Sequence, residues 1–349
     1  MPHLLEVQGL SVAYRTEDGV VQAVDDVSFF VDPGEVLCLV GESGSGKSVT
    51  CMTLMGLTRT PNARFGGTAY FGGTDLLQAT ERSLQSIRGN EIALIPQDPM
   101  SALNPVQRIG NQIIEQIRAH ERVSKSAARD RMVELLTRVG IPRARERSRS
   151  FVHEFSGGMR QRVMIAMALS CSPQLIVADE PTTALDVTVQ AQILSELAGL
   201  CREAGVSLLL VTHDFGVVAE MADRVVVMYS GRVVEEAPVT ELFEDPQHPY
   251  TWGLLGSVPR ADRPRAERLP MIAGSAPSPL RPPTGCHFRP RCPHELPRCS
   301  EVPPLASRVE GRSEHRDRCW LQPDDKRRLR IVNGAVGLAT PDDAGLSLS

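Results

Sequence analysis

A chain of 349 residues has room for one large domain and an appendage, or for two domains. Aromatics make up only 4% and the net charge is −4, which argues against a base-stacking surface and against a general electrostatic pull toward DNA or an anionic membrane. No apolar run approaches the ~18 residues of a spanning helix, and the start, MPHLLEVQGL, lacks the basic-then-apolar pattern of a secretory signal, so a role at a membrane is expected to run through partners.

In chain order, residues 4–14 alternate in hydropathy like an edge strand, and 20–31 like its hairpin partner. VLCLV (36–40) is a short apolar run expected for a buried strand; it leads into GESGSGKS and then a helical stretch, SVTCMTLMGL. From about 105 to 155 the chain is charge-rich and helix-forming, as in GNQIIEQIRAH and SAARDRMVELLTRVGI. LIVAD (175–179), SLLLVT (207–212) and RVVVMY (224–229) then read as strands alternating with helices, the pattern of an α/β fold with a parallel sheet. From about 257 proline, arginine and cysteine take over, which marks a boundary and an irregular tail; the residues after about 332 read as disordered. Cys38, Cys51, Cys171 and Cys201 lie in apolar or helical context and read as core packing, consistent with a reducing compartment.

Residues 41–48 fit G-x-x-x-x-G-K-[ST] between a strand and a helix, the context this pattern needs to be more than a turn. Gly41, Ser43, Gly44, Ser45 and Gly46 would wrap a phosphate chain with backbone N–H groups, Lys47 would neutralise terminal phosphate charge, and Ser48 would offer an oxygen to Mg²⁺; Thr50 is grouped with them. LIVADE ends a buried strand in two carboxylates. Such a pair alone is usually a solvated turn, but beside a phosphate loop Asp179 is expected to hold Mg²⁺ through water, and Glu180 to polarise a water in line with the γ-phosphate.

Between these elements stands Phe155-Ser156-Gly157-Gly158-Met159, and with it the chain resembles the ATP-binding subunits of ABC transporters, whose signature is usually written LSGGQ; the order of motifs matches across about 1–255. The resemblance implies a P-loop NTPase fold over 1–256: a RecA-like core, an antiparallel β subdomain and a helical subdomain at about 105–170. It implies ATP and Mg²⁺ as cofactors and a hydrolytically competent site. Gln97 matches the Q-loop, a catalytic position that also contacts Mg²⁺. Ala184-Leu185-Asp186 matches the D-loop, His213 the switch histidine, and Tyr14 the aromatic that stacks on adenine. Pro96 stands where an aromatic is more usual, so the strand is expected to end there. Ser156, Gly157 and Gly158 precede a helix whose free N–H groups attract anions; in the family that end completes the partner's nucleotide site, with Asp186 connecting the two sites. Simple helix capping by Ser156 and Gly157 is a compatible reading.

EDPQHPYTWGLLGSVPR followed by a cysteine-rich segment resembles the oligopeptide/dipeptide importer branch, which also serves nickel and some opine or sugar importers. That implies a second, homologous ATP-binding subunit, two permeases and an external binding protein, with this chain on the cytoplasmic face of the membrane and no nucleic-acid partner. The different-class alternative is a soluble ABC ATPase acting on nucleic acid or ribosomes; its support is the basic stretch 281–330, with twelve Arg or Lys against seven Asp or Glu. Within a C-terminal domain at 257–331, Cys286, Cys292, Cys299 and Cys319 are spaced C-x5-C-x6-C-x19-C. Four thiolates suit an all-cysteine zinc site or a [4Fe–4S] cluster, or stay free structural thiols, and no gap is the short C-x2–4-C of zinc knuckles. Similar segments of the branch carry an iron–sulfur cluster where one has been seen, so the resemblance favours the cluster, with zinc as alternative. His287, His294 and His315 are substitute ligands or, more simply, solvated.

Overall fold

The computed structural model describes residues 2–182, 186–257, 272–307 and 311–332. The first two strands, β1 (Leu5–Thr16) and β2 (Gly19–Val31), form the expected hairpin, closed by Thr16 against Gly19. Then come β3 (Val36–Val40), β4 (Ala63–Phe71), β5 (Thr74–Asp75), β6 (Ile92–Ile95), β7 (Leu175–Asp179), β8 (Ser207–Val211), β9 (Arg224–Tyr229), β10 (Arg232–Pro238) and β11 (Arg316–Asp317). An antiparallel sheet runs β2-β1-β4-β5, and a seven-stranded sheet runs β11-β10-β9-β3-β8-β7-β6. In the larger sheet β9, β3, β8, β7 and β6 are parallel, while β10 and β11 are antiparallel additions at one edge. Strand β6 ends at Ile95, one residue before Pro96, as expected.

The edge-strand reading of 4–14 is corrected: β1 lies between β2 and β4. Strand β4 is the missing neighbour, hidden in ARFGGTAYF by its glycines. Gly67 adopts φ +82°, and a Cβ there would lie 2.4 Å from the carbonyl oxygens of Gln8 and Gly9, so the register shift between Gln8 and Ser11 depends on it.

The period-2 pattern divides β3 between two cores. Val36, Cys38 and Val40 face the helices, whereas Leu37 and Leu39 face the antiparallel sheet. The helices Ile109–His120, Lys125–Arg138 and Gly157–Ala168 occupy the helical region and join the first core through Ile113, Ile117, Met132, Leu136 and Val163. Cys38, Cys51, Cys171 and Cys201 are buried, as packing residues should be.

The C-terminal region is mostly irregular, but it is not detached. Strand β11 pairs with β10, and a helix, Pro323–Val332, follows it. Its own apolar cluster is small, Trp252 with Cys319 and Leu321; Phe288 joins the main core against Tyr229 and Tyr250, and buried charge adds to the hold. Glu235, fully buried, accepts the N–H groups of Gln247 (2.5 Å) and His248 (2.9 Å) and meets His315 Nε2 at 2.8 Å. Burial opposes charge on His315, but the hydrogen bond to Glu235 prevails and raises its pKa. Glu236 is clasped by Arg224 and Arg316, and Lys326 by Asp317 at 2.8 Å. Removing one partner of such a pair costs about 3–5 kcal/mol, because the other is left buried and charged. The solvated reading of His287 and His315 is therefore corrected: both are buried, and His287 Nδ1 bonds Ser230 O at 2.8 Å.

Candidate functional site

The phosphate loop sits at the C-terminal end of β3 and opens the helix Lys47–Leu54, so the helix N-terminus and its free N–H groups face the loop. Gly41 is irreplaceable on steric grounds: φ is +148°, and a Cβ would lie 2.2 Å from Met228 O. Lys47 is 4% exposed, and its ammonium donates to Gly41 O (2.8 Å), Glu42 O (3.0 Å) and Ser45 Oγ (3.4 Å). Burial pushes its pKa below the usual lysine range, against the pull of Glu180 and Asp179. Ser48 Oγ donates to Asp179 Oδ1 at 2.8 Å, which brings the two expected Mg²⁺ oxygens together from loop and β7. Burial raises the pKa of Asp179, and the Ser48 hydrogen bond opposes that shift. These are hard oxygen donors of the kind Mg²⁺ takes, and they fit the ion.

Glu180 follows β7 in a left-handed conformation, φ +43°, which a non-glycine residue adopts at a cost. The turn aims its carboxylate between Lys47 Nζ, 4.0 Å from Oε1, and His213 Nδ1, 3.6 Å from Oε2. His213 follows β8 and is 58% exposed, so it can move toward a ligand. Gln97 is exposed two residues past β6, and the pairing of Ile95 with Ala178 brings the ends of β6 and β7, and so Gln97 and Glu180, to the same edge of the sheet.

Two expected residues direct their side chains away from the ligand side of the loop. Thr50 is fully buried and donates to Gly46 O at 3.0 Å, so it braces the loop rather than facing a ligand. Tyr14 packs against the core below the antiparallel sheet and bonds the side chain of Thr58, while its strand partner Val21 adjoins Gln22 beside the loop. The loop rim is instead lined by Gln22 and Ala23 of β2 and by Pro277 and Pro279. Nothing in the motif pattern pointed to those four residues.

Ser156 caps the helix Gly157–Ala168, accepting the Met159 N–H at 3.4 Å, and Ser156 and Gly157 are exposed. Among the described residues, no hydrogen bond or ion pair joins 156–158 to loop 41–48. Asp186 is exposed and caps the helix Val187–Ala204 through the Val189 N–H; Ala184 and Leu185 lie outside the described residues.

The four C-terminal cysteines line one pocket with His248, Phe288, Arg289, His294 and Trp320. Burial raises the thiol pKa of Cys286, that of Cys292 to about 11 and that of Cys319 to about 12. Among the described residues no three His, Cys, Asp or Glu converge as ligands of a metal ion do.

Residues 24–183 match the ABC transporter family, and 234–299 match the oligopeptide/dipeptide transporter C-terminal region. The oligopeptide transport ATP-binding protein OppD of Salmonella typhimurium is 51% identical over 309 residues, 88% of this chain and 92% of its own. The chain belongs to the oligopeptide/dipeptide branch of the ABC transporter ATP-binding proteins. OppD of Bacillus subtilis is 48% identical over 323 residues, 92% of this chain and 90% of its own. Among solved structures, the ATP-binding cassette MJ0796, a dimer in a post-hydrolysis state with ADP and Pi, superposes with a TM-score of 0.60 at 26% identity, covering 67% of this chain and 98% of that one. As an ABC subunit this chain is an ATP-hydrolysing transport enzyme that uses ATP and Mg²⁺. No described helix is long and apolar enough to cross a membrane.

Proposed function

We propose that this subunit powers peptide import, pairing with a second, homologous ATP-binding subunit beneath two permeases on the cytoplasmic face of the membrane and drawing cargo from an external binding protein. The observation that carries the reading is the pairing of the ATPase match with the peptide-transporter C-terminal match on one chain that is half identical to OppD. In this reading the loop N–H groups and Lys47 hold the phosphates, and Ser48, Asp179 and Gln97 hold Mg²⁺, which offsets phosphate charge when bound. Glu180 takes the proton of the attacking water, and His213 contacts the γ-phosphate. The exposed helix end at Ser156, Gly157 and Gly158 completes the partner's site, and Asp186 links the two sites. A groove of about 380 Å³, lined by Leu57, Arg88, Gln116, His120, Met164 and Met167, suits a permease helix.

The basic stretch that would favour nucleic acid has several of its described arginines engaged inside the protein. Arg312 meets Asp245, Arg316 Glu236, Arg318 Asp26 and Arg330 Asp245. The test is reconstitution of the full assembly in vesicles, with ATP turnover and uptake measured for peptides, nickel and opines or sugars. Peptide-stimulated turnover with peptide uptake is expected; stimulation by nickel or a sugar alone would move the chain to that cargo.

We infer that the four cysteines hold a [4Fe–4S] cluster, with zinc as the alternative. The donor set fits: four sulfurs surround one apolar pocket, and cationic Arg289 lines it. At about 2.3 Å per zinc–sulfur bond, ligands of a single ion crowd together. The described cysteines line one pocket without converging in that way, so the reading rests on the kind of donor they supply. Anaerobically purified protein should carry about four irons and four sulfides per chain, with a broad visible band that Cys319→Ser diminishes. Stoichiometric zinc without iron would make the tail a plain structural staple.

A further inference from the structure

The phosphate loop contains an anion that a triphosphate must approach. Glu42 stands one residue after Gly41, and Lys47 is the only cation within 41–48. A free carboxylate there would repel the ligand, yet this one is gripped by a residue nearly 250 positions away. Arg291 donates to both Glu42 oxygens, Nη1 to Oε2 at 2.7 Å and Nη2 to Oε1 at 3.1 Å. Its remaining donor capacity goes to Ala273 O (2.9 Å), Ile272 O (3.3 Å) and Tyr229 OH (3.4 Å), which fix the fork in place. The Arg291 side chain is 5% exposed, and Glu42 31%. The Glu42 N–H is also taken, by the hydroxyl of fully buried Tyr250 at 2.8 Å. Glu42 belongs to the ABC match, whereas Tyr250 and Arg291 belong to the match of the C-terminal region.

We propose that Arg291 is a positioning residue for ATP: it masks the Glu42 carboxylate and draws it away from the phosphates, so the C-terminal region sets the loop's affinity. The inference rests on the loop being the ATP site, which Lys47→Ala tests separately. A bidentate guanidinium–carboxylate pair is both charge-neutralising and rigid, which a lysine or a single hydrogen bond would not match.

The experiment is titration of the full chain with a fluorescent ATP analogue and Mg²⁺ for the parent, R291Q, E42Q and R291Q/E42Q, with melting temperature recorded for each. R291Q should weaken binding about tenfold, because a nearby unmasked charge opposes the triphosphate. E42Q alone should weaken it less, and the double variant should bind more tightly than R291Q, since its repelling charge is gone. A merely structural tie predicts a double variant no tighter than R291Q, because the tie is already broken. Binding by R291Q within about twofold of the parent, or a double variant no tighter than R291Q, overturns the proposal. If R291Q does not fold, R291K carries the test: it keeps the charge without the fork, should bind more weakly than the parent, and should be improved by E42Q. An R291K that binds as the parent does overturns it equally.

Discussion

Glu180→Gln should abolish steady-state ATP turnover while leaving ATP-driven pairing of the subunits intact. The substitution keeps the side chain's size and its turn at φ +43° but removes the carboxylate set between Lys47 and His213. An amide cannot accept the proton of an attacking water, and losing a general base of this kind lowers turnover by about 10²–10⁴-fold. ATP binding depends on the loop and Lys47, so the unhydrolysed nucleotide should hold the pair together. Phosphate release and light scattering with ATP separate the two effects. Turnover within about tenfold of the parent would remove Glu180 from the catalytic role, since a base is worth more than that.

Lys47→Ala acts one step earlier. Lys47 is 4% exposed and holds the loop together through Gly41 and Glu42 carbonyls besides offering its charge to the phosphates. A hydrogen bond from a charged donor contributes about 1.5–3 kcal/mol, so losing one to the phosphates weakens ATP affinity by about 10–10²-fold. Direct titration with the ATP analogue reads this, and circular dichroism should show an intact fold. Normal affinity would contradict the assignment of the loop itself. The two variants thus divide binding from chemistry, with Glu180→Gln retaining the nucleotide that Lys47→Ala loses.

How much of this was legible in the sequence depended on whether the information was local. The phosphate loop, the strand ending in Asp179-Glu180 and the signature helix follow from contiguous residues whose backbone demands are fixed, and the structure has Ser48 and Asp179 in contact. Side-chain direction is not local in that sense. Thr50 lies in the right motif, but the helix turns its hydroxyl back to Gly46, and Tyr14 faces the core on the side of Thr58. Strand β4 escaped because Gly66 and Gly67 erase its alternation, although Gly67 is what lets β1 pass so closely. The grip of Arg291 on Glu42 joins residues with no sequence signal in common, and the buried bond of His315 to Glu235 looked from the sequence like a solvated histidine.

Strand β11 is two residues long, yet it is the last piece of the larger sheet, and the ribosome makes it more than seventy-five residues after β10. Until Arg316 and Asp317 emerge, β10 is an open edge, and Glu235 and Glu236 lack His315 and Arg316. Domains tend to fold in the order of synthesis, so most of the ATPase sheet can form early. Its outermost strand cannot be sealed until the cysteine segment has already been made. Completion of the nucleotide-binding sheet therefore waits on the cysteine segment, and a chain ending before residue 316 would leave the outer edge of β10 without its strand partner.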